Sequence, residues 1–258
     1  MPLNVPGLLV PIQLLWFPRV ILPSLSVKDI RQLDFVALKN AGFRGAVFDK
    51  DNCLTIPHED KLIPELQEAW TECRKVFGKG NVIVVSNSAG TQLDGGGIQA
   101  ESVSYHLKVP VLNHNSFKPS YSCIQTIRHY FASLPNPIPD EQLVIVGDRL
   151  FTDMVVANRM RTWKGWRHLL ETWKQKEQAN TALGNGPLGV WTTGVWKKES
   201  MGMRWGEAKL LELVTKWSRP PLEEPKWDAS RFTRQTPLPS KSPEKDRLSS
   251  MLRMLGFR

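Results

Sequence analysis

Asp49 and Asp51 stand one residue apart in FDKDNCLT, residues 48–55, where the apolar run RGAVFD ends. A run of that kind reads as a strand buried on both faces. Side chains at the carboxyl end of a strand in an open α/β sheet face the crevice where ligands bind. Two carboxylates this close repel each other unless a cation lies between them. An all-oxygen site of this kind suits a hard divalent ion such as Mg²⁺. Taken alone, an Asp-x-Asp pair at a strand end serves as readily as a solvated turn or a helix cap.

Three further groups follow in order. SNS, residues 86–88, closes the run NVIVVS and offers the Ser86 hydroxyl, Asn87 and backbone N–H groups to phosphate oxygens. Lys118 follows the run VPVLN and supplies a cation for phosphate charge. GDRLFTD, residues 147–153, places Asp148 to complete a metal shell. Asp153 is then a ligand through water, a group that orients Lys118, or a first-turn acid of the next helix. Each group is an ordinary surface feature by itself. Four of them at the ends of successive strands form one constellation.

The elements that must position these residues follow from periodicity. Apolar runs at 44–49, 81–86, 109–113, 142–147 and 188–193 are predicted strands, and 63–77, 97–107 and 119–133 are predicted helices between them. Alternation of this kind implies an α/β, Rossmann-like three-layer fold with a central parallel sheet. About 35 residues separate Asp51 from Ser86, and about 30 separate Ser86 from Lys118. Each interval holds one crossover helix and its loops, with no room for a cap domain. An open site accepts a phosphate on a large or membrane-held molecule.

The expected organisation is an N-terminal amphipathic segment at 1–40, a core at 41–217 with a Trp-rich helical insertion near 161–187, a Pro-rich linker at 218–243 and a helix at 244–258. The formal charge of +9 over 258 residues points to an anionic partner. The basic residues are dispersed and no nucleic-acid motif is present, which sets a basic nucleic-acid-binding module against the intact acidic constellation. Cys53, Cys73 and Cys123 show no paired spacing, so a disulfide framework and a zinc site are both excluded. No apolar run is long enough to span a bilayer. Two segments have interfacial character. Residues 7–23 offer Leu14, Leu15, Trp16 and Phe17, and residues 163–176 offer Trp163, Trp166 and Trp173 beside lysines and arginines. Both patterns also suit helices packed on a sheet.

The set DKDN, SNS, lysine and GDRLFTD resembles the four motifs of the haloacid dehalogenase superfamily. FDKDNCLTIPH, VIVVSNSAG and IVGDRLFTDMVVAN resemble more narrowly the fungal-type mitochondrial phosphatidylglycerophosphatases. That resemblance covers about residues 14–160 and implies an uncapped Mg²⁺-dependent phosphatase. It implies Asp49 as nucleophile, Asp51 as acid and base, and Ser86, Asn87 and Lys118 on the phosphoryl group. The metal falls to Asp49, Asp148 and the main-chain carbonyl of Asp51, with Asp153 in support. It further implies a phospholipid substrate, an anionic membrane surface and a peripheral place on the matrix side of the mitochondrial inner membrane. A phosphatase for a soluble phosphate, a phosphoprotein or a nucleic-acid end is the competing expectation. No oligomeric state is implied.

Overall fold

The computed structural model describes residues 7, 9–161, 186–198, 201–217 and 229–234. Five strands form one parallel sheet: β1 (Leu25–Val27), β2 (Gly45–Phe48), β3 (Val82–Val84), β4 (Leu143–Gly147) and β5 (Leu188–Thr192), in the order β1-β5-β4-β2-β3. Around it lie α1 (Val10–Leu14), α2 (Phe35–Asn40), α3 (Gln67–Phe77), α4 (Ile98–Leu107), α5 (Tyr121–Ala132), α6 (155–161) and α7 (Met201–Trp217). The Rossmann-like α/β expectation holds. The intervals 51–86 and 86–118 each carry one α-helix, α3 and α4, as their lengths require.

Period-2 alternation divides the core into two layers. Ala46, Phe48, Val82, Val84, Val144 and Val146 face α2, α3 and α4, among Phe35, Leu38, Trp70 and Val103. Val47, Ile83, Leu143 and Ile145 face α5 and α6, among Ile124, Ile127, Phe131 and Met160. Strands buried on both faces must be apolar at every position, which is why β2, β3 and β4 read so clearly in the sequence. The helices start and stop on local chemistry. Asp34 caps α2 by accepting from Ala37 N at 2.8 Å, and Ser120 caps α5 by accepting from Cys123 N at 3.1 Å.

Four features differ from the sequence reading. Residues 109–113 form no strand; Val84 and Val111 make an isolated bridge, carried by Val84 N to Pro110 O and Leu112 N to Val84 O. Pro110 has no N–H to extend the ladder. Residues 25–40, assigned to the N-terminal segment, belong to the core, because β1 pairs with β5 and Phe35 and Leu38 are buried. Three residues are too few for a periodicity signal. Helix α7 went unread, since Gly202 and Gly206 dilute its helical character. Residues 229–234, inside the expected linker, dock on the core: Phe232 stacks edge-to-face on Phe43 at 5.8 Å, and Arg234 pairs with Glu72. The remainder of 218–258 and most of the Trp-rich insertion, with Trp163, Trp166 and Trp173, lie outside the described residues.

Helix α1 presents two faces. Leu14 is buried with Val10 against Leu150, Met154, Val155 and Val214, so Leu14 is a core residue and not a membrane contact. Ile21 is likewise buried. Leu15, Trp16 and Phe17, in the turn that follows α1, are 77%, 69% and 53% exposed, beside exposed Leu9 and Ile12. Among the described residues no helix is long and apolar enough to cross a membrane.

Candidate active site

From β2 the chain moves first to β3 on one side and then to β4 on the other, so the strand order reverses between β2 and β4. Ligand crevices form at such switch points. Asp49 and Asp148 follow these two neighbouring strands, and Asp49 N donates to Val146 O at 2.9 Å. Their carboxylates gather with that of Asp153, with ligand oxygens all within 4.8 Å of one another. The backbone after Asp148 opens as a π-helical turn, Leu150–Met154, which folds Asp153 back so that its Oδ2 accepts from Arg149 N at 3.2 Å. Gly147 makes that packing feasible. A Cβ there would lie 2.2 Å from Asp153 Cγ.

Lys118 enters from the loop before α5. Its Nζ donates to Asp49 Oδ1 and to Asp153 Oδ1, each at 2.7 Å. Asp153 thus contacts Lys118 and also belongs to the carboxylate cluster. Burial pulls the Lys118 pKa down, but Asp153 and Asp49 outweigh it and hold the ammonium well above its ordinary range. Burial pushes Asp148 well up, reinforced by the charges of Asp49 and Asp153, with Arg204 opposing. Asp49 is raised by burial against the pull of Lys118. Such crowding is relieved by a cation. The donors are all carboxylate oxygens, with no His or Cys among them, so the cluster fits a hard divalent metal ion.

Asp51 is set apart from this cluster. Its Oδ1 meets Lys50 Nζ at 2.7 Å, and its Oδ2 accepts from Ser88 Oγ at 3.0 Å. Lys50 is fully buried and also donates to Glu59 O at 2.9 Å. Ser86 and Ser88 share a hydroxyl contact of 2.9 Å, which joins the serine motif to Asp51. Asn87 holds the lysine loop by its backbone: its Oδ1 accepts from Lys118 N at 2.7 Å and its Nδ2 donates to Lys118 O at 3.3 Å. That use differs from the phosphate contact expected of the Asn87 side chain.

Several supporting residues escaped the sequence reading. Asn52, at φ 58°, accepts from Trp196 N and Lys197 N and so ties the β2 loop to the chain after β5. Asn tolerates that left-handed backbone. His114 is buried, with Nε2 2.9 Å from Ser86 O and Nδ1 2.6 Å from Ser116 O. Trp191 Nε1 donates to Asp148 O at 3.0 Å. From α7, Arg204 pairs with Asp148 Oδ2, and Glu207 with Arg149. Asn52 was the most legible of these, since it directly follows the Asp-x-Asp pair. The partners on α7 and at 191 carry no local signal.

Comparison with known proteins agrees with this geometry. The chain is 42% identical over 139 residues to the chloroplastic phosphatidylglycerophosphate phosphatase 1 of Chlamydomonas reinhardtii, covering 54% of this chain and 49% of that protein. The chloroplastic/mitochondrial phosphatidylglycerophosphate phosphatase 1 of Arabidopsis thaliana is 38% identical, over 55% of this chain and 39% of its own. The mitochondrial phosphatidylglycerophosphatase of Saccharomyces cerevisiae is 34% identical over 64% of this chain and 86% of its own length. The chain therefore spans half or less of the algal and plant relatives and most of the yeast one. No solved structure matches it significantly. The family model for mitochondrial PGP phosphatases matches residues 6–169, which contain every motif residue described above, and the chain belongs to that family.

Proposed function

We propose that this chain is a Mg²⁺-dependent phosphatidylglycerophosphatase that converts phosphatidylglycerophosphate to phosphatidylglycerol and phosphate, a step toward cardiolipin. The observation that carries this reading is Asp49 held by Lys118 within the buried cluster of Asp49, Asp148 and Asp153, in a chain of this family.

Asp49, Asp148 and Asp153 would hold the metal ion. When bound, Mg²⁺ supplies charge neutralisation at the phosphoryl oxygens. Lys118 and the loop 86–88 bind the phosphoryl group. A carboxylate oxygen of Asp49 attacks phosphorus as the bond from phosphorus to the glycerol oxygen breaks, and the product is an aspartyl phosphate. Asp51 gives its proton to the departing alkoxide. It then takes a proton from water as the water oxygen attacks the same phosphorus, which frees Asp49 and releases phosphate. Lys50 and Ser88 keep the Asp51 carboxyl group aimed from beside the cluster.

Intervals without a cap leave the mouth of the site accessible to a headgroup presented by a bilayer. Leu15, Trp16 and Phe17, exposed in the turn after α1, support seating at an anionic membrane surface. The yeast relative and that of Schizosaccharomyces pombe bear mitochondrial names, which supports a mitochondrial place, and the reading sets the chain peripherally on the matrix side of the inner membrane. The decisive assay is phosphate release from phosphatidylglycerophosphate in mixed micelles beside a panel of soluble phosphates, phosphopeptides and nucleic-acid ends. Turnover of the lipid well above the panel is expected. Preference for a soluble phosphate overturns the reading.

A further inference from the structure

Helix α7 lies beyond the family-matched residues 6–169, yet it reaches the site. Arg204 pairs with Asp148 Oδ2, and Glu207, three residues on and 2% exposed, receives Arg149 Nε at 3.3 Å. Residues three apart share a helix face, and Asp148 and Arg149 are consecutive. The helix therefore grips the GDR loop at two successive positions. Farther along the same face, Leu210, Leu211 and Val214 pack among Val20, Ile21, Leu150, Met154 and Val155, which anchors the grip to the core.

The charge balance gives the grip a purpose. Three buried carboxylates, Asp49, Asp148 and Asp153, crowd one another. Lys118 answers two of them, Asp49 and Asp153, each at 2.7 Å. Arg204 pairs with the third, Asp148. Its Nε is buried without a hydrogen-bond partner among the described residues, an arrangement that costs stability and is retained where the carboxylate contact outweighs it.

We propose that Arg204 is a positioning residue, which fixes the carboxylate of Asp148 by its Oδ2 and so preorganises the cluster for a divalent cation. This rests on the metal reading of that cluster. Ligating carboxylates are themselves held by outer partners, whose loss lowers metal affinity or activity about 10–100-fold.

The test is calorimetric titration of Mg²⁺ into the full chain and its variants, with melting temperature as the check on folding. Arg204→Gln should weaken Mg²⁺ binding by about tenfold or more, and Arg204→Lys should recover most of the loss. Arg204→Met repeats the test with an apolar stem, so either neutral variant that keeps the native melting temperature suffices. Glu207→Gln loosens the same helix without touching Asp148 and should leave the affinity within about twofold of the parent. An Arg204→Gln protein that binds Mg²⁺ as tightly as the parent, while Asp148→Asn does not bind it, overturns the proposal. So does an equal loss in Glu207→Gln, which would mark a packing role. Parent-like binding by Asp148→Asn removes the metal reading and this proposal with it.

Discussion

Lys118 Nζ donates to Asp49 Oδ1 at 2.7 Å, across a sequence separation of 69 residues. The same ammonium reaches Asp153, so one cation holds two acids from different motifs. Asp49→Asn keeps the shape and removes the nucleophilic charge. It should abolish phosphate release while circular dichroism stays native, and substantial retained turnover would take the nucleophile role from Asp49. Lys118→Met leaves Asp49 and Asp153 buried without their cation. Breaking one partner of a buried pair costs about 3–5 kcal/mol, so a lower unfolding midpoint in urea should accompany the loss of activity.

Metal dependence should appear in stability as well as in turnover. A ligand that binds only the folded state adds about 2.7 kcal/mol at one hundred times its dissociation constant. Mg²⁺ should raise the melting temperature, EDTA should reverse the rise and stop phosphate release, and Asp148→Asn should be insensitive to both. An EDTA-treated protein with full activity would contradict the metal scheme.

Gly147 is the next point of attack. A Cβ there meets Asp153 Cγ at 2.2 Å, a separation no packed pair tolerates. Gly147→Ala should therefore displace Asp153, loosen Lys118 and lower kcat by at least about a hundredfold, the scale of a lost electrostatic group. Retained kcat would mean that Asp153 relaxes at no cost to the site.

The buried face of α1 and the exposed turn after it give a paired test. Leu15→Asp with Trp16→Asp alters exposed side chains, so co-sedimentation with anionic liposomes should fall while the melting temperature holds. Leu14→Asp buries a charge among Val10, Leu150 and Val214 and should unfold the protein or lower its melting point sharply. Unchanged liposome binding by the exposed pair would show that this turn does not meet the membrane.

Docking of 229–234 can be checked by Phe232→Ala. Removing a buried Phe costs about 3–5 kcal/mol, against the near-zero effect expected if those residues were a solvated linker. The edge-to-face contact with Phe43 at 5.8 Å predicts the larger loss.

Sequence alone determined the parallel sheet and the acids at its edge. Strands β2, β3 and β4 are apolar on both faces, and that continuous pattern is local enough to read. Asp49, Asp51, Ser86, Asp148 and Asp153 were legible because each follows such a strand, and Lys118 because it follows the apolar run 109–113, which makes only a bridge to Val84. Contacts between distant segments decided the rest. The burial of Leu14, the pairing of β1 with β5, and Asn87 holding the Lys118 backbone all depend on partners far along the chain. Arg204 on Asp148 spans 56 residues. Residue type and spacing report which groups a strand end offers. Which cation answers which carboxylate depends on where the helices pack, and only the tertiary structure decides that.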